Sequence, residues 1–170
     1  MLRAPAPVLD AIGTLARLGL AAVWLVSGWL KLADPGQTYL AVRDYEVLPP
    51  GVVGVVATVV PLLELVLGLA LLAGLRTRLV AACSAALLMV FIAGVAQAWA
   101  RGLSIDCGCF GGGGQVPPDQ TRYPQDIAVD LAFLLLAGWL LVRPHTRWSA
   151  DGWLHGKARP GVEHDHLVND

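Results

Sequence analysis

Two cysteines separated by one glycine, Cys107 and Cys109, are the residues of this chain best suited to chemistry. They lie in the segment Asp106-Cys107-Gly108-Cys109-Phe110, which four more glycines follow, between two long apolar runs. Thiols at this spacing can close only a tight disulfide ring, and the intervening glycine makes this ring sterically easier to form because glycine has no Cβ. Strained disulfides have more oxidising potentials and are the labile or catalytic ones. The spacing therefore predicts a redox-active pair that exchanges thiols with other molecules.

Three other interpretations of the cysteine pair remain open: disulfides to a partner protein, metal ligation, or no chemical role. Two thiolates alone would need further metal ligands from another chain. The four histidines lie after the last apolar run, across the predicted membrane from the pair, so we predict no metal site. Cys83 is about 24 residues away, or ~36 Å of helix, which is too far for a disulfide with the pair. We interpret Cys83 as a small buried hydrophobic residue.

Apolar segments make up most of the remaining chain and must position the cysteines. The mean hydropathy is +0.62, with 56% hydrophobic and 15% charged residues, whereas soluble domains carry about 25% charge. Crossing a bilayer takes roughly 20 apolar residues. Four segments reach about this length: 11–32, 51–75, 79–100 and 125–142. Because backbone groups in lipid must be satisfied internally, we predict an all-α membrane protein with a four-helix bundle, and a short amphipathic surface helix over residues 37–47.

The distribution of basic residues orients this predicted bundle. Four spans place both termini and the 76–78 turn on one side, which holds seven of the twelve Lys and Arg residues, against four outside, when the intramembrane Arg17 is left out. The positive-inside rule then predicts cytoplasmic termini, a membrane domain over residues 1–143 and a polar cytoplasmic tail over residues 144–170. The cysteine loop lies outside, where thiols are not kept reduced. The basic residues are scattered, so we expect no nucleic-acid partner.

Arg17 and Glu64 are the charges that lie well inside the first two predicted spans. A charge at the bilayer centre costs at least ~2.5–3.5 kcal/mol, so it normally finds a partner or a cavity. Small residues accompany each of these charges on one helix face, which favours close helix packing. Our hypothesis is a buried ion pair between Arg17 and Glu64. The alternative is that the charges mark a proton or quinone site.

Two carboxylates, Asp126 and Asp130, lie one helical turn apart at the outer end of the fourth span. A carboxylate there can accept a proton during thiol exchange, or it can stabilise the start of a helix. We interpret Asp126 as a helix-start charge. Asp130 lies deeper, and we retain it as a candidate proton acceptor.

Several segments in this order resemble the DoxX/MauE group of bacterial membrane proteins, and MauE in particular. The segments that carry the resemblance are Arg17 with Ser27-Gly28-Trp29-Leu30-Lys31-Leu32, Tyr45-Glu46-Val47-Leu48-Pro49, Pro61-Leu62-Leu63-Glu64-Leu65 and Cys107-Gly108-Cys109-Phe110-Gly111. The resemblance implies a four-helix protein of the bacterial cell membrane that is linked to redox chemistry. MauE-like proteins are associated with the maturation of methylamine dehydrogenase, whose small subunit is dense in disulfides, alongside a thioredoxin-like partner. DoxX-like relatives are tied to thiosulfate oxidation by quinone.

By position, the resemblance implies that Cys107 and Cys109 are the redox pair and that Arg17, Lys31 and Glu64 are framework residues. We therefore predict a lipid-embedded protein in extracytoplasmic thiol–disulfide exchange, a component of a thiol–disulfide oxidoreductase system. A thioredoxin-like protein is the expected partner, and a quinone is the candidate electron acceptor. Two alternatives remain: a non-catalytic membrane scaffold for such a partner, and a quinone-linked subunit of a sulfur-compound oxidoreductase.

Overall fold

The protein is a bundle of long helices with a small hairpin at one end. Its structure, a computed structural model, describes residues 6–143, so the predicted tail over residues 144–170 lies outside the described residues. The helices are α1 (Ala6–Ala33), α2 (Pro35–Asp44), α3 (Pro50–Ala73), α4 (Thr77–Ala100) and α5 (Tyr123–Val142). Strands β1 (Ile105–Asp106) and β2 (Gly114–Gln115) pair in antiparallel register, and a 3-10 turn covers Pro118–Gln120.

The four predicted spans are confirmed, because α1, α3, α4 and the segment ending with α5 are long and apolar enough to cross a membrane. The short helix predicted over residues 37–47 is also present, as α2. It spans Pro35–Asp44, so it begins two residues and ends three residues earlier than predicted. It begins earlier because the Asp34 side chain accepts the backbone N–H of Gln37 at 2.9 Å and caps the helix, which is a favoured role for aspartate.

The bundle is built from two closely packed helix pairs, α1 with α3 and α4 with α5. A buried core that includes Leu20, Trp24, Leu71 and Leu88 joins the pairs. The Trp24 indole donates to the Ser84 hydroxyl at 3.0 Å, so the buried polar group is satisfied. Large aliphatic side chains cover the outer faces of the helices, as expected for contact with lipid.

The predicted close packing of the first two spans is confirmed in the seam between α1 and α3. A Cβ atom at Gly28 would lie 2.8 Å from the carbonyl oxygen of Pro61, and one at Gly68 would lie 2.7 Å from Leu25 Cγ. Both glycines therefore allow the two helices to approach more closely than larger residues would.

The two ends of the bundle differ in construction. At one end, which we call the cysteine end, the hairpin, α2 and the first turns of α3 and α5 meet the last turns of α1 and α4. At the other, the turn end, Gly74 in a left-handed conformation terminates α3, and α4 begins at Thr77. The cysteines 107 and 109 lie at the cysteine end, in the loop between β1 and β2.

Candidate functional site

The β-hairpin holds the base of the cysteine loop. The Tyr123 hydroxyl accepts the backbone N–H of Ile105 at 3.1 Å and donates to the Leu103 carbonyl at 2.7 Å. Asp106 Oδ1 accepts the backbone N–H of Gly108 at 2.9 Å. Side chains therefore satisfy backbone groups that a loop at this position would otherwise leave unpaired.

Beyond its base, the loop folds back onto α2. Gly108 and Gly113 have positive φ angles of 66° and 109°. Their Cβ atoms, if present, would lie 2.9 Å and 2.3 Å from the Cβ of Ala41. The Gln37 side-chain amide donates to the Gly113 carbonyl. Only glycine fits at these two positions, because each requires both an unusual backbone angle and contact with the helix surface.

Both loop cysteines are half-buried and are free thiols in the structure. The Cys109 backbone N–H donates to Cys107 Sγ at 3.3 Å, and the Tyr45 hydroxyl donates to the Cys107 carbonyl at 3.0 Å. A hydrogen bond with the Cys107 thiol, together with burial, raises the pKa of Cys109 far above its usual range. Cys109 is therefore held in its protonated form near neutral pH.

A buried charge cluster lies directly beneath the cysteine loop. Lys31 Nζ is 2.5 Å from Glu64 Oε1 and 3.0 Å from Ser27 Oγ, and the Glu64 side chain is fully buried. Ser27 Oγ is 2.6 Å from the Cys109 carbonyl oxygen and 3.0 Å from Glu64 Oε2. Since a hydroxyl has a single proton, Ser27 can donate to only one of these acceptors at a time. The serine thus links the ion pair between α1 and α3 to the backbone of Cys109.

The hypothesis of an Arg17–Glu64 ion pair is wrong. Glu64 pairs with Lys31, while Arg17 donates to the carbonyl oxygens of Leu71 and Leu72 at 3.1 Å and 3.4 Å. Arg17 lies toward the turn end of α1, whereas Lys31 is in its last turn, closer to the level of Glu64. The prediction was wrong about the register of the two helices, because Gly28 of α1 lies opposite Pro61 and Leu65 of α3, which places Glu64 near Lys31 and far from Arg17.

The interpretation of Cys83 as a buried residue is also wrong. Cys83 is exposed on α4 and is a free thiol. Its neighbour Ser84 faces the core instead and receives the hydrogen bond from Trp24. The apolar character of α4 on all sides gave no indication of which residue faces inward.

Two carboxylates border Cys109 on the side of α5. A cavity of ≈ 270 Å³ is lined by residues of the loop and of this helix: Cys109, Phe110, Arg122, Gln125, Asp126, Val129 and Asp130. The Asp126 carboxylate, in the first turn of α5, interacts electrostatically with the Cys107 thiol. Asp130 is only 5% exposed, and its Oδ2 has no hydrogen-bond partner among the described residues. We call this space the acidic cavity.

Sequence reasoning missed three contributors to the site: Ser27, Tyr45 and the thiol contact of Asp126. Ser27 shares a helix face with Lys31, four residues later, so this spacing was an available signal. The contact between Tyr45 and Cys107 joins residues that are 62 positions apart, and only the fold brings them together. Among the described residues, no group of three His, Cys, Asp or Glu side chains is arranged to hold a metal ion.

The family of the chain follows from comparison with known proteins. Residues 9–143 match the family described as methylamine utilisation protein MauE. This interval contains the Lys31–Glu64 ion pair, the cysteine loop and nearly all of the four spanning helices. The chain belongs to the MauE family. It is a multi-pass bacterial membrane protein, in agreement with the four apolar helices.

An individual relative supports this family assignment. The chain is 36% identical over 102 residues to the methylamine utilization protein MauE of Paracoccus denitrificans. The aligned part covers 59% of this chain and 55% of the relative, so the chain spans about half the length of the curated relative that it matches. No solved structure matches the chain.

Proposed function

We propose that this MauE-family protein performs thiol–disulfide exchange outside the cytoplasm through Cys107 and Cys109. The exchange serves methylamine utilisation, in the maturation of a disulfide-rich periplasmic enzyme such as methylamine dehydrogenase, with a thioredoxin-like protein as the immediate partner. One observation carries the proposal: the two thiols are held together in a loop that rests on a buried ion pair and borders two carboxylates.

The exchange step is a substitution at sulfur. In the oxidised protein, a thiolate of the partner attacks Cys109 Sγ, the Cys107–Cys109 bond breaks, and Cys107 leaves as a thiolate. The partner's second thiol then attacks the mixed disulfide at its own first sulfur and releases Cys109. Two thiols of the partner become a disulfide, and the Cys107–Cys109 disulfide becomes two thiols. No further oxidant is needed for this step.

Cys109 is the sulfur attacked, for two reasons. A thiol with a low pKa is the better leaving group in exchange, whereas burial and the Cys107 thiol raise the pKa of Cys109. Cys109 also lines the acidic cavity, which reaches the surface at the exposed residues Arg122 and Gln125, and Cys107 does not line it. A partner thiol that enters by the acidic cavity therefore meets Cys109 first.

The two carboxylates manage the protons of the pair. Asp126 interacts with the Cys107 thiol, and we assign it as the acceptor of the Cys107 proton when the disulfide forms again. Asp130 lines the same cavity as Cys109, and its unpartnered Oδ2 is suited to accept the Cys109 proton. Each cysteine is thus assigned its own proton acceptor.

Trapping the mixed disulfide tests the proposal. A Cys107→Ser variant cannot form the loop disulfide, but its Cys109 can still attack the disulfide of the oxidised partner, which is the reverse of the exchange step. No Cys107 thiol is then present to release the partner, so a disulfide between Cys109 and the partner should accumulate on non-reducing gels of membranes. In a Cys109→Ser variant, we expect at least a tenfold smaller amount. A Cys83→Ser background removes the remaining thiol and serves as the control.

The outcome separates exchange from a scaffold role. A scaffold would support enzyme maturation equally well when both loop cysteines are replaced by serine, and that result would contradict the proposal. Orientation is tested in the same cells, since a membrane-impermeant maleimide should label Cys109 in intact spheroplasts. Labelling only after lysis would place the loop in the cytoplasm and reject an extracytoplasmic role.

A further inference from the structure

A second cavity borders the cysteine pair on the side opposite α5. It has a volume of ≈ 370 Å³ and lies between α2, α3, α4 and the cysteine loop. The cavity exists because α3 packs mainly on α1 while α4 packs mainly on α5, so that the facing surfaces of α3 and α4 remain apart. Its walls are chiefly aliphatic and include Val56, Val60, Leu87 and Val90. We call it the apolar cavity.

The polar groups of the apolar cavity are concentrated near the cysteine loop. Cys107, Cys109 and Lys31 line this part of the wall, and Phe91 adds an aromatic ring. Lys31 Nζ lies 5.0 Å from the centroid of the Phe91 ring. Two of the three N–H groups of the ammonium donate to Glu64 and Ser27, which leaves one for a ligand in the cavity. A site of this kind binds a small apolar molecule and orients it by a few polar contacts.

The apolar cavity also reaches the surface that faces lipid. Val90 on α4 is 64% exposed, and Val47, in the segment before α3, is 56% exposed, and both line the cavity. A molecule dissolved in the bilayer can therefore enter between α3 and α4 without passing through water. The acidic cavity, in contrast, is reached beside the charged residues at the start of α5.

We propose that the apolar cavity binds a quinone of the membrane, which reoxidises the Cys107–Cys109 pair after exchange. The quinone ring meets the aromatic face of Phe91, one of its carbonyl oxygens accepts the remaining N–H of Lys31, and its apolar tail leaves toward lipid past Val90. This inference rests on the proposed thiol–disulfide exchange and supplies the oxidant that repeated turnover requires.

The reoxidation step balances. Cys107 and Cys109 each lose an S–H bond, and one S–S bond forms between their Sγ atoms. The two electrons and two protons pass to the quinone, whose two carbonyl oxygens become hydroxyls. Cys109 lines both cavities, whereas Cys107 lines only the apolar one. Cys109 is thus the sulfur through which the partner side and the bilayer side communicate.

An acyl chain of a lipid is the principal competing occupant. An acyl chain has no acceptor for Lys31 and cannot oxidise thiols, so it would leave both polar features of the cavity unused. The presence of a cation and two thiols within one apolar wall favours a ligand that is apolar, carries hydrogen-bond acceptors and undergoes two-electron reduction.

Filling the apolar cavity tests the inference. Ala57 lines the cavity on α3, whereas Ala93 on α4 is exposed and does not line it. Ala57→Phe and Ala93→Phe therefore make the same change in two places. Each protein is reduced, placed in lipid nanodiscs without oxygen, and mixed with decylubiquinone. Quinol is followed by ultraviolet absorbance, and the disulfide by alkylation and mass spectrometry. Binding is measured separately, by photolabelling with an azido-quinone.

We expect wild type and Ala93→Phe to form one quinol per disulfide and to be labelled on peptides of α3 and α4. Ala57→Phe should lose at least tenfold in both quinol formation and labelling, while exchange between its oxidised form and reduced thioredoxin is retained. Val90→Trp, at the lipid-exposed entrance, provides a second variant if Ala57→Phe does not fold.

The inference would be overturned if Ala57→Phe and Val90→Trp both left labelling and quinol formation unchanged. It would also be overturned if quinol formed without a Cys107–Cys109 disulfide, or if phospholipid instead of quinone occupied the labelled peptides. Intact exchange without quinone binding rejects the apolar-cavity site alone. Absence of exchange in the wild type rejects the proposed function instead.

Discussion

The cysteine end and the turn end of the bundle both connect helices at a membrane surface, but the connecting segments differ. At the turn end, the Gly74 N–H and the Leu75 N–H bond to carbonyls of the last turn of α3, and α4 begins two residues after Leu75. At the cysteine end, the connection from α4 to α5 runs from residue 101 to residue 122 and folds inward over buried charges.

This difference shows what a long irregular connection needs when it packs onto a helix bundle. Its buried N–H and C=O groups must find hydrogen-bond partners within the protein. Ser27, Gln37 and Tyr45 hydrogen-bond to carbonyls of the cysteine loop. The ion pair, α2 and the loop glycines are therefore one construction, which the turn end lacks.

The largest effect is expected from Lys31→Met, because it leaves Glu64 buried without its charge partner. Breaking a buried ion pair in this way costs about 3–5 kcal/mol in the free energy of unfolding. SDS titration in mixed micelles measures it. Arg78→Met at the exposed surface of the turn end is the matched control, with an expected change below about 0.5 kcal/mol.

A double variant sharpens this prediction. Lys31→Met with Glu64→Leu removes both charges, and we expect it to regain most of the lost stability, since apolar replacements of buried pairs are often neutral. If Lys31→Met alone proves as stable as Arg78→Met, the ion pair does not hold the cysteine end together.

The next effect compares two glycines with positive φ. Gly102→Ala should lower the free energy of unfolding by about 1–2 kcal/mol, the cost of a positive φ angle for alanine. No steric cost is added, because nothing lies within 4 Å of the new Cβ. Gly113→Ala should cost about 1–3 kcal/mol more, because its Cβ would lie 2.3 Å from that of Ala41. Thermal unfolding of both variants measures the difference. Adding Ala41→Gly should recover part of the excess loss at Gly113, because it removes the closest contact but leaves the Ala41 Cα at 3.0 Å. No recovery at all would contradict the docking of the loop on α2.

A smaller effect is expected from Tyr45→Phe, which removes the hydrogen bond to the Cys107 carbonyl. The expected loss in the free energy of unfolding is about 0.5–1.5 kcal/mol, while Tyr39→Phe on the exposed face of α2 should change it little.

The same variant tests the pH dependence of stability. Burial raises the pKa of Tyr45, so the stabilisation by its protonated hydroxyl is complete below the unfolded pKa of about 10 and declines as the pH rises above that value. Tyr45→Phe should therefore lose less stability than wild type in alkaline solution. An equal loss in both would argue against a buried Tyr45 hydroxyl.

The smallest effect concerns the reactivity of Cys109. Cys107→Ala removes the thiol that raises the pKa of Cys109, so a larger fraction of Cys109 is thiolate at a given pH. We expect iodoacetamide to alkylate Cys109 several-fold faster at pH 8 than in the reduced wild type, in a Cys83→Ser background. Slower alkylation would show that Cys107 activates Cys109 and would reverse the assigned roles.

Much of the fold could be predicted from the sequence, because each long apolar segment had one stable solution in lipid. The site was less predictable. Lys31 and Glu64 were recognised as framework residues, but Glu64 was paired with Arg17, since the register of α3 against α1 is not visible in sequence spacing. Asp126 was interpreted as a helix-start charge, and it does lie in the first turn of α5. Its approach to the Cys107 thiol depends on the path of a glycine-rich loop.

The spanning helices, the paired thiols and the presence of buried charge follow from local composition and from the cost of exposing backbone to lipid. The packing of the helices was needed to show which cation pairs with Glu64, which face of α4 is buried, and that Cys109 lies between an acidic cavity and an apolar one. Those outcomes depend on how α1, α2, α3 and α5 pack around one flexible loop, and contacts between distant residues leave no periodic pattern in the sequence.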